Sequence, residues 1–151
     1  MTLRFRNVDV DPSEPVEAWP LEAVLAAIER GGLSHWRRLF RAVEAEPWGA
    51  VARNVEAALD LHEPYGTGTL LRRALEAVRD RARASEREEV KRRVEEAWRS
   101  SGLTQSEFAE AIGTSASRFS TYLHGSVVPS AALLVRMERL ALRHAQSEPR
   151  G

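Results

Sequence analysis

The segment that most constrains the fold lies in the carboxyl-terminal half, where residues 103–125 read LTQSEFAEAIGTSASRFSTYLHG. Thr104 and Glu107 have the spacing of a capping box, in which the hydroxyl and the carboxylate each accept a hydrogen bond from the other residue's backbone N–H. A helix is therefore predicted to begin here. Gly113 stands where that helix must end, because glycine adopts a left-handed backbone at little cost.

The residues after this glycine predict a second short helix. Thr114 or Ser115 can cap it, since either hydroxyl can accept a hydrogen bond from a backbone N–H. Phe119 and Tyr122 lie three residues apart and share its inward face, and Gly125 ends it. Two short helices joined by a glycine turn make a helix-turn-helix, an arrangement that places its second helix in the major groove of DNA.

Helical phase leaves small or polar side chains outward or flanking on this second helix. They are Ala116, Ser117, Arg118, Ser120 and Thr121. A helix buried in protein would carry more apolar residues at these positions, so this face is predicted to be free to meet DNA. A final helix is predicted after Ser130, which can cap it, with an inward stripe of Leu133, Leu134, Met137 and Leu140.

The first twenty residues carry no helical pattern. Residues 3–10 alternate weakly between apolar and polar side chains, which favours a short strand or an extended arm. A single strand is not stable alone and would need a symmetry mate or a partner. Residues 11–20 contain three prolines and are predicted to form a linker.

Helical periodicity begins at Leu21 and predicts three helices before residue 62. The first ends at the Gly31–Gly32 pair, the second is capped by Ser34, and the third has Pro47 in its first turn and Trp48 on its buried face. A three-helix unit of this size has a limited core, so it is expected to pack on further structure or on another chain.

A long helix is predicted from Thr69 to about Arg99. Ser85 and Glu88 have capping-box spacing within it, so the stretch is either one helix or two helices with a break near residues 84–86. A continuous or slightly kinked helix is the favoured interpretation. Acidic and basic residues alternate along residues 86–96 at helical spacing, which indicates a solvated face rather than a pair of catalytic carboxylates.

Charge is distributed unevenly along the chain although the net charge is zero, with 22 basic and 22 acidic residues. Residues 1–68 hold seven Arg and eleven acids, whereas residues 69–151 hold fifteen basic residues and eleven acids. The basic excess therefore falls in the half that carries the motif, as a phosphate-binding surface would require. A solvated helix surface explains the excess about as well.

The composition excludes several other kinds of protein. The absence of cysteine excludes disulfides and thiolate metal sites. No apolar run approaches the roughly 20 residues that span a bilayer, and no secretory signal is evident, so a cytoplasmic protein with no membrane partner is expected. The four histidines lack a second ligand at metal spacing, and residues 66–68 lack the lysine of a phosphate loop. We therefore expect no metal, no cofactor and no enzyme activity.

Residues 88–142 resemble the helix-turn-helix domains of the phage-repressor type, the Cro/cI-like or XRE family. The resemblance covers about a third of the chain. The matching positions run without a gap and are Leu103, Thr104, Gln105, Phe108, Ala109, Ile112, Gly113, Ser115, Phe119, Tyr122, Gly125, Pro129 and Ser130. The family has about five helices, of which the second and third form the motif.

The resemblance implies roles for individual residues. Base-reading positions fall on Ala116, Ser117 and Thr121, with Arg118 and Ser120 beside them. Phosphate contacts are implied for Thr104, Gln105, Ser115, His124 and Ser126.

The base-reading positions depart from those of many relatives, which carry long polar or basic side chains there. Small side chains can contact a thymine methyl or form one hydrogen bond, but they cannot make a bidentate contact with a base. Ser126 also stands where relatives often have a basic residue. Because of both departures, we expect each motif to bind DNA with modest affinity and the protein to depend more heavily on dimerisation.

These observations predict an all-α protein in which an amino-terminal helical region is joined by a long helix to the DNA-binding domain. The expected divisions are an arm or linker over 1–20, a dimerisation or partner-binding region over 21–84, the DNA-binding domain over 85–146 and a frayed tail over 147–151. The expected function is that of a homodimeric repressor that places residues 115–124 in the major groove of double-stranded DNA.

Two other functions stay open at this point. The acidic amino-terminal half favours an antitoxin that uses this half to neutralise a toxin protein. The zero net charge favours an interaction scaffold that binds no DNA.

Overall fold

The computed structural model describes residues 2–62 and 65–147, and within these ranges all regular structure is helical. This confirms the all-α class predicted from the sequence. A single 3-10 turn at Val16–Ala18 precedes seven α-helices, which are α1 (Leu21–Arg30), α2 (Leu33–Ala45), α3 (Ala50–Leu61), α4 (Thr67–Ser101), α5 (Gln105–Ile112), α6 (Ala116–Leu123) and α7 (Ala131–Ser147). No helix in the described ranges is both long and apolar enough to cross a bilayer.

The chain divides into two compact units, Met1–Ala82 (unit 1) and Arg83–Gly151 (unit 2), with α4 contributing residues to both. The sequence placed a boundary between residues 84 and 85. The tail predicted over 147–151 lies outside the described residues except for Ser147, which ends α7.

Unit 1 is a helical core formed by α1, α2, α3 and the first part of α4. Its most deeply buried members include Val24, Leu39, Val43, Val55 and Leu75. Leu71, Leu75 and Val78 lie at helical spacing on α4 and bring that helix onto the same core. The amphipathic stripes read from the sequence therefore meet in one apolar interior.

The amino-terminal residues belong to this core and do not form a linker. Residues 3–10 form no strand within the described chain, and bends occur at Arg6, Asn7 and Asp9. Leu3 is buried, and the Phe5 ring meets the Trp19 ring edge-on with centroids 5.1 Å apart. Arg38 of α2 donates to the carbonyl oxygen of Pro12 at 2.6 Å and its guanidinium lies over Trp19, which ties residues 11–20 to α2.

Two local predictions in unit 1 are wrong by a few residues. Helix α2 begins at Leu33, so Ser34 lies inside it; the N-cap is Gly32, whose N–H donates to His35 Nδ1 at 3.2 Å. Helix α3 begins only at Ala50. Pro47 and Trp48 therefore lie in the turn before it.

Trp48 is 42% exposed rather than buried. The guanidinium of Arg79 lies 5.2 Å from its ring centroid, and Arg79 Nε donates to the carbonyl of Pro47 at 3.1 Å. This cation–π contact stabilises an exposed indole that the helical pattern alone had placed in the core.

Helix α4 runs without interruption through residues 67–101, which confirms the continuous alternative. No Pro or Gly occurs between Thr69 and Ser101 to break it. Ser85 is consequently an interior helical residue and not a cap. Its surroundings carry no core side chain, because residues 83–89 are all exposed.

Unit 2 is built around two phenylalanines. Phe108 of α5 and Phe119 of α6 are both 0% exposed, and their ring centroids lie 5.0 Å apart. Val94 of α4 and Met137 of α7 are equally buried in the same cluster. Helices α4 to α7 thus share one core, and the inward positions predicted for α5, α6 and α7 are confirmed.

We expect Phe108→Ala to lower the free energy of unfolding of unit 2 by about 3–5 kcal/mol, because it removes a fully buried ring and leaves a cavity. Val135→Ala is the matched control, since this exposed α7 side chain should change stability by no more than about 0.5 kcal/mol. Urea unfolding followed by far-ultraviolet circular dichroism measures both. Equal losses in the two variants would contradict the assigned core.

Candidate nucleic-acid interface

Helix α5 begins with the capping box predicted from the sequence. The Thr104 N–H donates to Glu107 Oε2 at 2.8 Å, and the Glu107 N–H donates to Thr104 Oγ1 at 3.3 Å. The hydrogen bond from the backbone N–H of Thr104 lowers the pKa of Glu107, and the Thr104 hydroxyl lowers it further. The helix terminus is therefore held by an ionised carboxylate, which the helix dipole also favours.

The turn after α5 has the left-handed geometry that requires glycine. Gly113 has φ 79° and ψ 35°. Its N–H donates to the carbonyl of Glu110 at 3.0 Å, while the Thr114 N–H reaches back to the carbonyl of Ala109 at 2.9 Å. This pair of bonds is a Schellman motif, which satisfies the last carbonyls of a helix as the chain reverses.

Helix α6 begins at Ala116 with Ser115 as its N-cap, which decides between Thr114 and Ser115. Ser115 Oγ accepts from the Arg118 N–H at 3.2 Å and lies 3.2 Å from Ser117 Oγ. The carboxyl end of α6 is fixed by Gly125, whose φ is 75°. Both termini of this eight-residue helix are thus determined by its own sequence.

The two faces of α6 differ sharply in exposure. Phe119 and Tyr122 are buried, whereas Ala116, Ser117 and Arg118 are exposed. Ser120 and Thr121 flank the exposed face and are half-buried. A shallow depression on this surface is lined by Ser115, Ser117, Arg118, Thr121 and Val127.

Hydrogen bonding within the helix limits what each polar side chain can offer. Thr121 Oγ1 donates to the carbonyl of Arg118 at 2.6 Å. The hydroxyl can therefore only accept a further hydrogen bond, and the methyl group of the side chain offers an apolar contact. His124 Nδ1 lies 2.7 Å from the carbonyl oxygen of Ser120, and Ser126 Oγ donates to the carbonyl of Thr121 at 3.2 Å. The polar groups at the end of α6 are therefore partly engaged by the helix itself.

Arg118 is the exception on this face. Within residues 2–62 and 65–147 its guanidinium makes no hydrogen bond or ion pair. Its N–H donors are therefore available to a ligand, and a guanidinium matches the geometry of a phosphate or of the guanine edge.

The residues with an implied phosphate role do not all gather in one place. Ser115 lines the depression, and Ser126 is bonded to the carbonyl of Thr121, another residue of that surface. Thr104 and Gln105 are exposed at the start of α5, and no hydrogen bond among the described residues joins them to the depression. Thr104 has its hydroxyl engaged as the cap of α5.

Two cations beside the motif were not predicted from the sequence. Arg136 of α7 donates through Nη1 to the carbonyl of Ile112 at 2.8 Å, directly before the Gly113 turn. The stem of Lys91 on α4 lies against Gly125, where an added Cβ would come within 3.0 Å of Lys91 Cδ. Lys91 is the only lysine of the chain, which is the one sequence signal that could have singled it out.

These cations matter for the electrostatics of the candidate surface. Residues 103–130 themselves contain one Arg and two Glu, so the motif alone does not attract phosphate. Arg136 and Lys91 add positive charge next to the two turn glycines that bound α6. A guanidinium that gives one donor to Ile112 still has others to offer.

The described ranges were also searched for a metal-binding site. No group of three or more His, Asp or Glu side chains is arranged there to hold a metal ion. Comparison of the chain with protein-family models, with curated proteins and with solved structures found no match.

We expect Gly113→Ala to destabilise unit 2 by about 1–2 kcal/mol, because a Cβ disfavours the left-handed backbone. Gly113→Asn should lose less, since asparagine tolerates this conformation better. An added Cβ would lie 3.7 Å from its nearest neighbour, Arg136 Nη1, so steric clash does not contribute to the difference between the two variants. Thermal unfolding of both variants shows which one loses more stability. Equal losses would show that the left-handed backbone of residue 113 is not the cause of the destabilisation.

The capping box also predicts a pH dependence. Because folding lowers the pKa of Glu107, its contribution to stability is present above the ordinary value of 4.5 and is lost as the pH falls through the lowered pKa. Glu107→Gln should therefore lose less stability than the wild type between pH 7 and pH 3. Glu110→Gln, which changes an exposed carboxylate of the same helix outside the cap, should keep the wild-type slope. Denaturant unfolding at the two pH values provides the test.

Proposed function

We propose that this chain is a sequence-specific DNA-binding regulator of transcription that places α6 in the major groove. The observation that carries the proposal is the contrast between the two faces of α6. Phe119 and Tyr122 anchor the helix inward, and a small, polar surface around Arg118 is left exposed. The spacing of residues 103–125, which resembles phage-repressor-type domains, supports the same function.

The exposed side chains suit a close approach to base edges. Ala116 and Ser117 are short enough to let the helix backbone enter the groove, and the free guanidinium of Arg118 suits guanine or phosphate. Thr121 offers a methyl group that can contact a thymine methyl, since its hydroxyl proton is engaged by the helix. Phosphate contacts would come from Gln105, the α6 termini, Lys91 and Arg136, which position the helix without reading sequence.

A motif with so few long base-reading side chains is expected to act in pairs. A two-fold dimer would present two copies of α6 to half-sites about one helical turn, roughly 34 Å, apart. We propose that residues 21–84 supply the dimer or partner surface. A regulator of this kind would work in the cytoplasm.

We expect Arg118→Ala to weaken binding to the DNA upstream of the protein's own gene by about 1–3 kcal/mol, because it removes the free cation of the helix face. Thr121→Ala should chiefly relax the preference for one base pair. Arg73→Ala is the control, since this exposed α4 side chain belongs to unit 1. Electrophoretic mobility shifts with operator and scrambled duplexes measure all three.

Unchanged binding in both α6 variants would refute the assignment of this face. The salt dependence of binding distinguishes a DNA-binding protein from an interaction scaffold that binds no DNA. Released counterions make a true DNA complex weaken steeply as salt rises, whereas absence of any duplex binding at low salt would favour the scaffold.

A second candidate function is that of an antitoxin, favoured by an exposed apolar surface on unit 1. Leu61, Tyr65 and Leu70 are each exposed near the connection between α3 and α4, and a contiguous patch of such residues would mark a protein interaction site. Co-expression with the product of the neighbouring gene tests this function. A stable complex that abolishes toxicity supports it, and a clean homodimer without a toxic neighbour contradicts it.

A further inference from the structure

Burial alternates along the first residues of unit 1: Leu3 and Phe5 are covered, whereas Thr2, Arg4 and Arg6 are exposed, as in an extended chain held on one side. Leu3 is 6% exposed, and Phe5 packs its ring on Trp19. Successive residues of an extended chain point to opposite sides, so Leu3 and Phe5, two positions apart, hold the segment from the same side. Asn7, with φ 59°, ends the run and limits it to residues 2–6.

The backbone of this segment is unpaired. Between Thr2 and Val10 no N–H, carbonyl or side-chain group forms a hydrogen bond with any other described residue. An extended backbone with free donors and acceptors is the template that an incoming strand requires. Anchoring by Leu3 and Phe5 keeps that template in place, so little ordering entropy is lost when a partner binds.

One side of this backbone is basic. A groove there is lined by Thr2, Leu3, Arg4, Phe5, Arg6 and Arg30. All three arginines are exposed, and none is paired with a carboxylate among the described residues. Residues 1–82 as a whole hold 13 acidic and 11 basic residues, so this cluster opposes the charge of its own unit.

We propose that residues 2–6 bind an extended acidic peptide segment of a partner protein, which adds to them as a strand. Main-chain hydrogen bonds supply the pairing, and Arg4, Arg6 and Arg30 select carboxylates on the incoming chain. A second copy of the same segment is a poorer occupant, because it would place arginines beside arginines. The site belongs to unit 1, whereas the DNA-binding face proposed for α6 belongs to unit 2.

The test uses the full chain and a fluorescein-labelled octapeptide that alternates Glu with Val and Thr. Fluorescence polarisation should show saturable binding that weakens as salt rises. The same peptide with Lys in place of Glu should not bind. A version with alternate backbone nitrogens methylated should bind about tenfold more weakly, because it lacks the N–H donors of a strand.

Charge-reversal variants locate the site on the protein. Arg4→Glu with Arg6→Glu should weaken peptide binding about tenfold or more. The matched control is Arg37→Glu with Arg41→Glu, two exposed arginines of α2, which should bind like the wild type. Circular dichroism verifies folding, and the substituted side chains are exposed, so the core is not disturbed.

Several outcomes would overturn the proposal. They are no saturable binding at millimolar peptide, equal binding of the methylated peptide, or equal effects of the two charge reversals. A homodimer that dissociates in Arg4→Pro would show that a second copy occupies the segment instead. Loss of duplex DNA binding in the Arg4/Arg6 variant, without peptide binding, would assign the arginines to nucleic acid. Arg118→Ala should leave peptide binding intact, which separates this test from that of the DNA-binding function.

Discussion

The contact between Phe108 and Phe119 determines what the rest of unit 2 can present to its surroundings. Helices α5 and α6 have eight residues each, and helices this short are not stable alone in water. The two rings are fully buried and 5.0 Å apart, so they fix which side of each helix faces inward. The exposure of Ala116, Ser117 and Arg118 is a consequence of this contact.

The part of the fold that follows from neighbouring residues could be predicted from the sequence. The capping box joins residues three apart, and the turn at Gly113 is closed by bonds that reach back no more than five residues. The caps and inward stripes of α5 to α7 and the outward face of α6 were predicted on this basis. Continuity of α4 was the favoured interpretation for the same reason, since no local breaker interrupts it.

Features that depend on distant residues could not be predicted in this way. Arg38 bonds to Pro12 across 26 positions and Arg79 to Pro47 across 32, and these contacts decide the placement of residues 11–20 and of Trp48. Lys91 and Arg136 reach the candidate interface from α4 and α7 for the same reason. Periodicity reports which face of a helix is apolar, but it does not report which charged residue lies beside it.

The seven residues from 83 to 89 belong to the longest helix yet enter no core, because all of them are exposed. Their helical state therefore rests on backbone hydrogen bonds and on contacts of exposed side chains, not on burial in a core. A substitution there changes the stability of neither unit much, provided that it preserves helix propensity and charge balance. The identity of each side chain in this stretch is therefore constrained by helix propensity, whereas residues of the two flanking cores are constrained by shape and volume.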